Sequence, residues 1–72
     1  MPRNDVFRAE GTVIEALPNW KFRVELPNGH RLMGFVVGRR RESLGQLAAG
    51  DKINLEMSPY DLSKGRIVSR KD

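Results

Sequence analysis

Hydrophobic and polar residues alternate most regularly in the segment WKFRVEL, at positions 20 to 26. Its even-numbered residues are apolar and the residues between them are charged, which predicts a strand with one buried and one exposed face. The segment Pro27-Asn28-Gly29 follows, and an Asn-Gly pair is typical of a hairpin turn because both residues tolerate positive φ. The returning segment HRLMGFVVG completes the hairpin, and Gly34 within it indicates a bend or a close packing contact.

The chain before this hairpin predicts another strand, with an irregularity in its second half. In the segment VFRAEGTVIEAL, an apolar or small residue stands at every second position from 7 to 13. Ile14 and Leu17 fall out of this phase, which predicts a bulge or a stretch of coil near positions 11–15. A Pro-Asn turn at 18–19 leads back into the hairpin, so the first three strands form an antiparallel meander.

The second half of the chain predicts a short helix and two further strands. Ser43 and Gln46 have the spacing of a capping box, and Gly50 is a helix stop, so we expect a short helix or a single helical turn within residues 43–50. The alternating segment DKINLEM predicts a fourth strand that ends before the proline of SPY. The turn-forming residues of YDLSKG predict a loop at 60–65, and GRIVSRK predicts a short, basic fifth strand.

The order of three strands, one short helix and two strands predicts an all-β fold. In a chain of 72 residues it indicates a five-stranded Greek-key barrel of the OB type, with the helix between strands 3 and 4. We expect residues 1–72 to form a single OB-fold domain that binds RNA. The chain contains no cysteine, so disulfides cannot stabilise it, whereas a closed barrel removes sheet edges and buries alternate residues of each strand.

The net charge of the chain indicates which class of molecule it binds. Lys and Arg number 13 against 9 Asp and Glu, which gives a net charge of +4 and an isoelectric point near 10.1. Such a small basic domain favours a polyanion, with nucleic acid before an anionic membrane. No apolar run is long enough to span a bilayer and the N-terminus lacks a signal core, so we expect no membrane partner and a cytoplasmic location.

Three consecutive arginines, Arg39, Arg40 and Arg41, follow Gly38 in the middle of the chain. Charge runs are often only solvated surface, so one interpretation is a loop that keeps the protein in solution. The interpretation we favour is a phosphate clamp, because guanidinium groups bind phosphate oxygens in pairs and stack on unpaired bases. In this interpretation the arginines precede the start of the helix, whose free N–H groups add to the positive potential.

The exposed face of the predicted hairpin carries a second set of cations. In OB folds the sheet face around strands 2 and 3 is the usual ligand surface. The candidates for RNA binding on it are Lys21, Arg23, Arg31 and the aromatic Phe35. Phe35 shares a face with Arg31, and on the outer face it would be an exposed aromatic suited to stacking on a base. Pairing of Glu25 with Arg23 or Arg31 is the structural alternative, and periodicity places Trp20 in the core or at its rim.

The C-terminal segment adds Lys64, Arg66 and Arg70 to the basic end of the barrel, with Tyr60 as a further aromatic. The sequence gives little support for catalysis, since His30 has no partner base or nucleophile and no metal-binding or nucleotide-binding motif occurs. We therefore expect no catalytic residue, no metal ion and no cofactor.

Two long segments of the chain resemble a known family. GTVIEALPNWKFRVELPNGH and GDKINLEMSPYDLSKGRIV, at these spacings, are similar to the bacterial translation initiation factor one family, and the similarity covers essentially the whole chain. The resemblance implies an OB-fold barrel without enzymatic activity or cofactor. The chain departs from the family pattern at Phe35, where a polar residue such as histidine is common, and in ESLGQL at 42–47, where further basic residues are usual.

The resemblance also implies a specific role in translation. Such a factor binds the small ribosomal subunit in the aminoacyl-tRNA site, between the decoding helix of the rRNA and a neighbouring ribosomal protein. It keeps elongator tRNA out and, with the other two initiation factors, helps to position the initiator tRNA. By position in the motifs, the arginines at 39–41 would insert into the rRNA, and Lys64, Arg66 and Arg23 would join the RNA surface. The free protein is expected to be a monomer.

Other functions remain open on the sequence alone. A general single-stranded RNA binder of the cold-shock type, acting as an RNA chaperone, would use the same fold, although an aromatic content of 7% is low for it. A small barrel that contacts a protein partner would use its charges only for solubility. An enzyme is the weakest interpretation, because no active-site constellation is present.

Overall fold

A computed structural model describes residues 6–71, which form five strands and one helix. In chain order the elements are β1 (Phe7–Leu17), β2 (Lys21–Glu25), β3 (Arg31–Phe35), α1 (Gly38–Leu44), β4 (Lys52–Ser58) and β5 (Asp61–Arg70). In this described part of the chain, no helix has the length and apolar character needed to cross a membrane.

The strands close into a barrel in the order β1-β2-β3-β5-β4, with β4 returning to β1. Neighbouring strands are antiparallel except β3 and β5, which pair in parallel with Gly34 opposite Gly65. This parallel pair completes the Greek key. After β3 the chain runs through α1 and β4, and only then does β5 return to lie beside β3. The predicted all-β, five-stranded OB barrel with one helix between β3 and β4 is confirmed.

The barrel interior is filled by apolar residues at every second position of its strands. Val24 of β2, Leu55 of β4 and Ile67 of β5 are completely buried. Gly34 lets the wall approach this core closely, since a Cβ there would lie 3.0 Å from the Ile67 Cδ1 atom. The close packing contact predicted at Gly34 is confirmed. The same alternation turns the charged residues of these strands outward.

β1 pairs with both β2 and β4, and a bulge interrupts its ladder with β2. The register shifts between Val13 and Glu15, so Ile14 is the extra residue. The bulge predicted near positions 11–15 is confirmed, and it explains why Ile14 falls out of phase. Beside the bulge, the Val13 N–H donates to the carbonyl oxygen of Asp51 at 2.8 Å, which ties β1 to the approach to β4.

Trp20 lies in the turn between β1 and β2 and not in the strand predicted for it. Asn19 and Trp20 both have left-handed backbones, with φ of 65° and 59°. Two consecutive positive φ values are characteristic of a type I′ turn, which suits the right-handed twist of a hairpin. A bulky residue is unfavourable at positive φ. The Trp20 ring packs against the core, as predicted for a core or rim residue, and this packing offsets the backbone cost.

The hairpin between β2 and β3 uses the three-residue loop Pro27-Asn28-Gly29. The Leu26 N–H donates to the His30 carbonyl oxygen at 2.8 Å, and the Gly29 N–H donates to the Leu26 carbonyl oxygen at 2.9 Å. Within the loop only Gly29 has a positive φ, of 91°. The predicted hairpin is confirmed, but Asn28 contributes differently: its side-chain oxygen accepts the His30 N–H at 3.0 Å.

The helix begins earlier than the sequence predicts. α1 spans Gly38–Leu44 and contains the arginine run, whereas the capping-box pattern places a helix within 43–50. The Ser43 hydroxyl does not cap a helix start; it donates to a carbonyl oxygen one turn earlier at 3.3 Å. Gly45, with φ of 69°, ends the helix where the prediction had it beginning. The expectation that the arginines precede a helix start is therefore wrong, since arginine is itself a good helix former.

β5 also begins earlier than predicted. It spans Asp61–Arg70, so most of the segment predicted as a loop at 60–65 is strand, and the fifth strand is not short. The difference arises because the turn-forming side chains bond to each other: the Asp61 carboxylate accepts both the N–H and the hydroxyl of Ser63, at 3.1 and 2.5 Å. Lys64 therefore lies on a strand, where the pairing of β3 with β5 fixes its position.

Candidate nucleic-acid interface

The outer face of β2, β3 and β5 carries two rows of side chains in register. In each row an apolar residue of the central strand, β3, lies between a cation of β2 and a cation of β5. We call this surface the basic ladder, which comprises Lys21, Phe35 and Arg66 in one row and Arg23, Met33 and Lys64 in the next.

The basic ladder faces outward because of the two-residue period of its strands. Leu32 and Gly34 of β3 are buried, whereas Met33 and Phe35 are partly exposed on the opposite side. Phe35 lies on the outer face, a question that the sequence left open, and it is half-buried rather than fully exposed. An aromatic ring between cations can stack on a base while the cations neutralise the neighbouring phosphates.

A groove of about 370 Å³ borders the ladder at Phe35, Lys64 and Arg66. Phe35 and Val37 give it apolar walls, and Glu56 lies on its lining. A concave apolar surface with cations at its margin fits a planar ring that carries a negatively charged group. The groove therefore extends the chemistry of the ladder toward the start of α1.

Glu56 of β4 holds Arg66 at the margin of the groove. The Arg66 Nη2 atom lies 2.5 Å from Glu56 Oε1, and the Nε atom of Arg8 lies 3.6 Å from Oε2. The hydrogen bond from Arg66, and then the positive charges of Arg66 and Arg8, lower the pKa of Glu56, so the carboxylate stays ionised beside its partners. The Arg66 side chain is 43% exposed, so it is anchored without being removed from the surface.

Arg31 lies on β3 beyond the two rows of the ladder. Its Nε atom is 3.4 Å from the Glu25 carboxylate, so the predicted cross-strand pairing of Glu25 is with Arg31. The Arg31 side chain is 62% exposed, and ion pairs at such exposed positions contribute little. The pairing therefore leaves Arg31 accessible to a polyanion.

The three arginines of α1 lie in different environments. Arg40 Nη1 donates to the carbonyl oxygen of Val68 in β5 at 2.9 Å. Arg41 lies over the Trp20 ring, 5.3 Å from its centre. Arg39 is exposed, and its side chain makes no hydrogen bond or ion pair with residues 6–71. α1 therefore does not present three equivalent arginines to one ligand.

Arg70, at the end of β5, directs its three guanidinium nitrogen atoms at the end of α1 and at the segment that follows it. Its Nε and Nη2 atoms donate to the carbonyl oxygens of Leu44 and Gln46, at 3.0 and 2.7 Å. Its Nη1 atom donates to the Asp51 carboxylate at 3.3 Å. The sequence predicts an RNA contact for Arg70, but the structure places it apart from the ladder and engages each of its three guanidinium nitrogen atoms in a hydrogen bond within the protein.

The predicted RNA-binding residues leave out two features of this surface. Met33 completes the second row of the ladder and is not among those residues, although its position two residues before Phe35 puts it on the same face of β3. The contact between Arg41 and Trp20 has no signal in the sequence, because the turn and the helix meet only in the closed barrel.

His30, for which the sequence shows no catalytic partner, makes a structural contact. Its Nε2 atom lies 2.7 Å from the carbonyl oxygen of Leu62 and links the β2–β3 loop to β5. Within residues 6–71, no group of three or more His, Asp or Glu side chains is arranged to hold a metal ion.

No protein-family model matches the chain. Among solved structures, the chain is similar to the solution structure of translation initiation factor one from the Wolbachia endosymbiont strain TRS of Brugia malayi. The two share 39% sequence identity with a TM-score of 0.75, over 96% of this chain and 82% of that one. The crystal structure of YjeQ from Thermotoga maritima is similar with a TM-score of 0.69 at 22% identity, over 92% of this chain and 23% of that one, which shows the shared fold alone.

The closed barrel and the basic ladder together define a small OB-fold protein with a cationic outer face. The identity with the Wolbachia factor, over nearly the whole chain, is more specific than the fold. The chain belongs to the family of translation initiation factor one, which confirms the resemblance found in the sequence and supports a role in translation initiation.

Proposed function

We propose that the protein binds the small ribosomal subunit at the aminoacyl-tRNA site through contacts with rRNA. The observation that carries this proposal is the basic ladder, in which apolar residues of β3 alternate with cations of both neighbouring strands. Arg39 and Arg41 of α1 and Arg31 of β3 extend the same interface. Arg40 and Arg70 support it from within the protein.

The affinity comes first from the cations. Each lysine or arginine that neutralises a phosphate releases condensed counterions, so binding weakens steeply as salt rises. Lys21, Arg23 and Lys64 are exposed and make no ion pair within residues 6–71, so each can take a phosphate without breaking an internal contact.

The specificity comes from shape and stacking. Phe35 and the groove beside it accept an unpaired base, and the guanidinium planes of Arg39 and Arg41 stack on others. Unstacking the rRNA costs free energy, which stacking and phosphate contacts offset. The protein therefore recognises RNA that can be deformed at this site more than it recognises a base sequence.

In this proposal the protein acts by occupying the aminoacyl-tRNA site. A bound barrel keeps elongator tRNA out and, with the other two initiation factors, favours placement of the initiator tRNA in the neighbouring site. A ribosomal protein near the decoding centre contributes the other side of the pocket. The protein works as a monomer in the cytoplasm, catalyses no reaction and uses no cofactor.

A general single-stranded RNA binder is the second candidate. The position of Phe35 favours it, because a partly exposed aromatic between Lys21 and Arg66 suits any unpaired base. Such a protein would bind free oligonucleotides without the ribosome.

Co-sedimentation with purified small ribosomal subunits tests the proposal. We expect saturable binding near one protein per subunit, which weakens from low to moderate salt and resists an excess of an unstructured RNA oligomer. Displacement by the oligomer supports the general RNA binder. Failure to bind either one contradicts both functions.

A matched pair of lysine variants tests the role of the ladder. Lys64→Ala removes a cation of the second row, whereas Lys52→Ala removes an exposed cation of β4, outside the ladder. We expect Lys64→Ala to weaken subunit binding and to reduce the salt slope by about one. Lys52→Ala should leave both unchanged, and equal effects of the two variants would show that only net charge matters.

A further inference from the structure

Two arginines join α1 and β5 in opposite directions. From α1, Arg40 donates to the carbonyl oxygen of Val68 at 2.9 Å. From β5, Arg70 donates to the carbonyl oxygens of Leu44 and Gln46 at 3.0 and 2.7 Å. We propose that Arg40 and Arg70 form a reciprocal clasp that sets the orientation of α1 on the barrel. In this role both are positioning residues for the RNA interface, an inference that rests on the proposed function.

The helix needs such a clasp because its own sequence does little to fix it. α1 has seven residues, far fewer than an isolated helix needs for stability in water. Leu44 is its one buried residue, and no side chain caps its start. Burial of a single leucine can hold the end of the helix against the barrel, but it cannot set the rotation of the helix about its axis.

Arg70 is suited to this task by the planar fork of its guanidinium group. The last carbonyl oxygens of a helix have no partner within the helix, and Arg70 supplies donors to this end of α1. Asp51 helps to hold the Arg70 guanidinium group in place. One of its carboxylate oxygens accepts hydrogen bonds from Arg70 Nη1 at 3.3 Å and from the Ala48 N–H at 2.9 Å. A lysine at this position keeps the charge but cannot reach acceptors spread over the same span.

Fixing Arg40 also fixes the directions of its neighbours. Consecutive residues of an α-helix project about 100° apart. When Arg40 is held against β5, Arg39 and Arg41 must therefore project to either side of it. Arg41 then meets the Trp20 ring and Arg39 remains exposed. The clasp thus converts a run of like charges into one anchored arginine and two that are presented to RNA.

Trp20 provides a readout of α1 that does not depend on RNA. It is the single tryptophan of the chain, and Arg41 of α1 lies over its ring. We would compare the Trp20 emission of wild type with that of Arg70→Ala, Arg70→Lys and Arg40→Lys. Arg41→Ala gives the emission without the cation, and Lys52→Ala is the control for lost charge. Thermal unfolding of each variant establishes that it is folded.

The clasp predicts changes in both Trp20 emission and subunit binding. Arg70→Lys should behave like Arg70→Ala: Trp20 emission shifts toward that of Arg41→Ala, and subunit binding weakens about tenfold, as expected for loss of a charge-assisted hydrogen bond. The salt slope should stay at the wild-type value, since no phosphate contact is removed.

The opposite pattern overturns the proposal. If Arg70→Lys binds like wild type while Arg70→Ala flattens the salt dependence, Arg70 contacts a phosphate directly. Unchanged Trp20 emission in the folded variants also excludes the clasp. If Arg70→Ala does not fold, Arg70→Lys and Arg40→Lys carry the comparison. If wild type does not bind the subunit, the proposed function fails, and the Trp20 emission alone decides whether the clasp exists.

Discussion

The guanidinium group of Arg41 lies over the indole ring of Trp20, with 5.3 Å between its central carbon and the ring centre. This contact joins α1 to the turn between β1 and β2, two elements that are far apart in the chain. Trp20 holds a left-handed backbone with φ of 59°, which is unfavourable for a bulky residue. Packing against the core and the Arg41 cation together keep the ring in a defined place at the margin of the proposed RNA interface.

Removal of the Arg41 cation should weaken the contact between α1 and the turn between β1 and β2. We expect Arg41→Ala to lower the free energy of unfolding by about 0.5–1 kcal/mol, the usual value of an exposed cation–π contact. Urea denaturation followed by circular dichroism gives this free energy independently of any change in Trp20 emission. Arg41→Lys, which keeps a cation on a flexible stem, should lose less, and a loss as large as that of Arg41→Ala would show that charge over the ring is unimportant.

Phe35 should contribute to RNA binding through its ring and not through its apolar volume. Phe35→Leu keeps an apolar side chain between Lys21 and Arg66 but removes the stacking surface. We expect subunit binding to weaken by about 1–3 kcal/mol, the value of one base–aromatic stack, with an unchanged salt slope. Co-sedimentation over a range of salt concentrations measures both quantities.

The matched control for this prediction is Phe35→Tyr, which keeps the ring. It should bind nearly as wild type. If Phe35→Leu also binds like wild type, Phe35 serves only to pack the sheet and the cations of the ladder act alone.

The barrel and its basic face could be predicted from the sequence because both follow from strand periodicity. Alternation in WKFRVEL and DKINLEM fixes which side chains face inward, and the bulge at Ile14 follows from one break of phase. The same pattern places Phe35 on one face with Arg31, and the closed barrel shows that this face is the outer one. These features depend on residues that are close together in the chain, so they can be predicted from a single sequence.

The environments of the arginines could not be predicted, because they depend on contacts between distant segments. Arg40 and Arg70 bond to carbonyl oxygens, which leave no trace in the sequence. The helix boundary was misplaced for a related reason: the Ser43 hydroxyl bonds within α1, and Gly45 ends the helix. Charge counts predict an interface, but tertiary contacts decide which arginines are free to use it.

Gly65 should be required for packing of the barrel. A Cβ at this position would lie 2.6 Å from Leu55 Cδ1 and 2.9 Å from Leu32 Cδ1, two atoms of the buried core. We expect Gly65→Ala to lower the free energy of unfolding by about 1–3 kcal/mol through overpacking. Urea denaturation measures the change. Gly38→Ala is the control, since a Cβ there has no atom within 4 Å; an equal loss in both variants would contradict the packing argument.

The acid side of the stability profile should depend on Glu56. Its pKa in the folded protein is lowered from the ordinary value of 4.5, chiefly by the hydrogen bond from Arg66. A lowered folded pKa means that the unfolded chain takes up the proton first as pH falls. The contribution of Glu56 is therefore complete above the ordinary carboxyl pKa and is lost as the pH falls through the folded value.

Glu56→Gln should remove this contribution and flatten the acid limb of the profile. The measurement is the thermal midpoint of wild type and variant, from neutral pH to below the ordinary carboxyl value of 4.5. The two midpoints should differ most at neutral pH and converge in acid. Asp61, whose pKa is lowered chiefly by the hydrogen bond from the Ser63 hydroxyl, leaves a residual slope that Glu56→Gln/Asp61→Asn should remove. A constant difference between wild type and Glu56→Gln at every pH would mean that the variant loses packing, and that the ion pair with Arg66 does not stabilise the barrel.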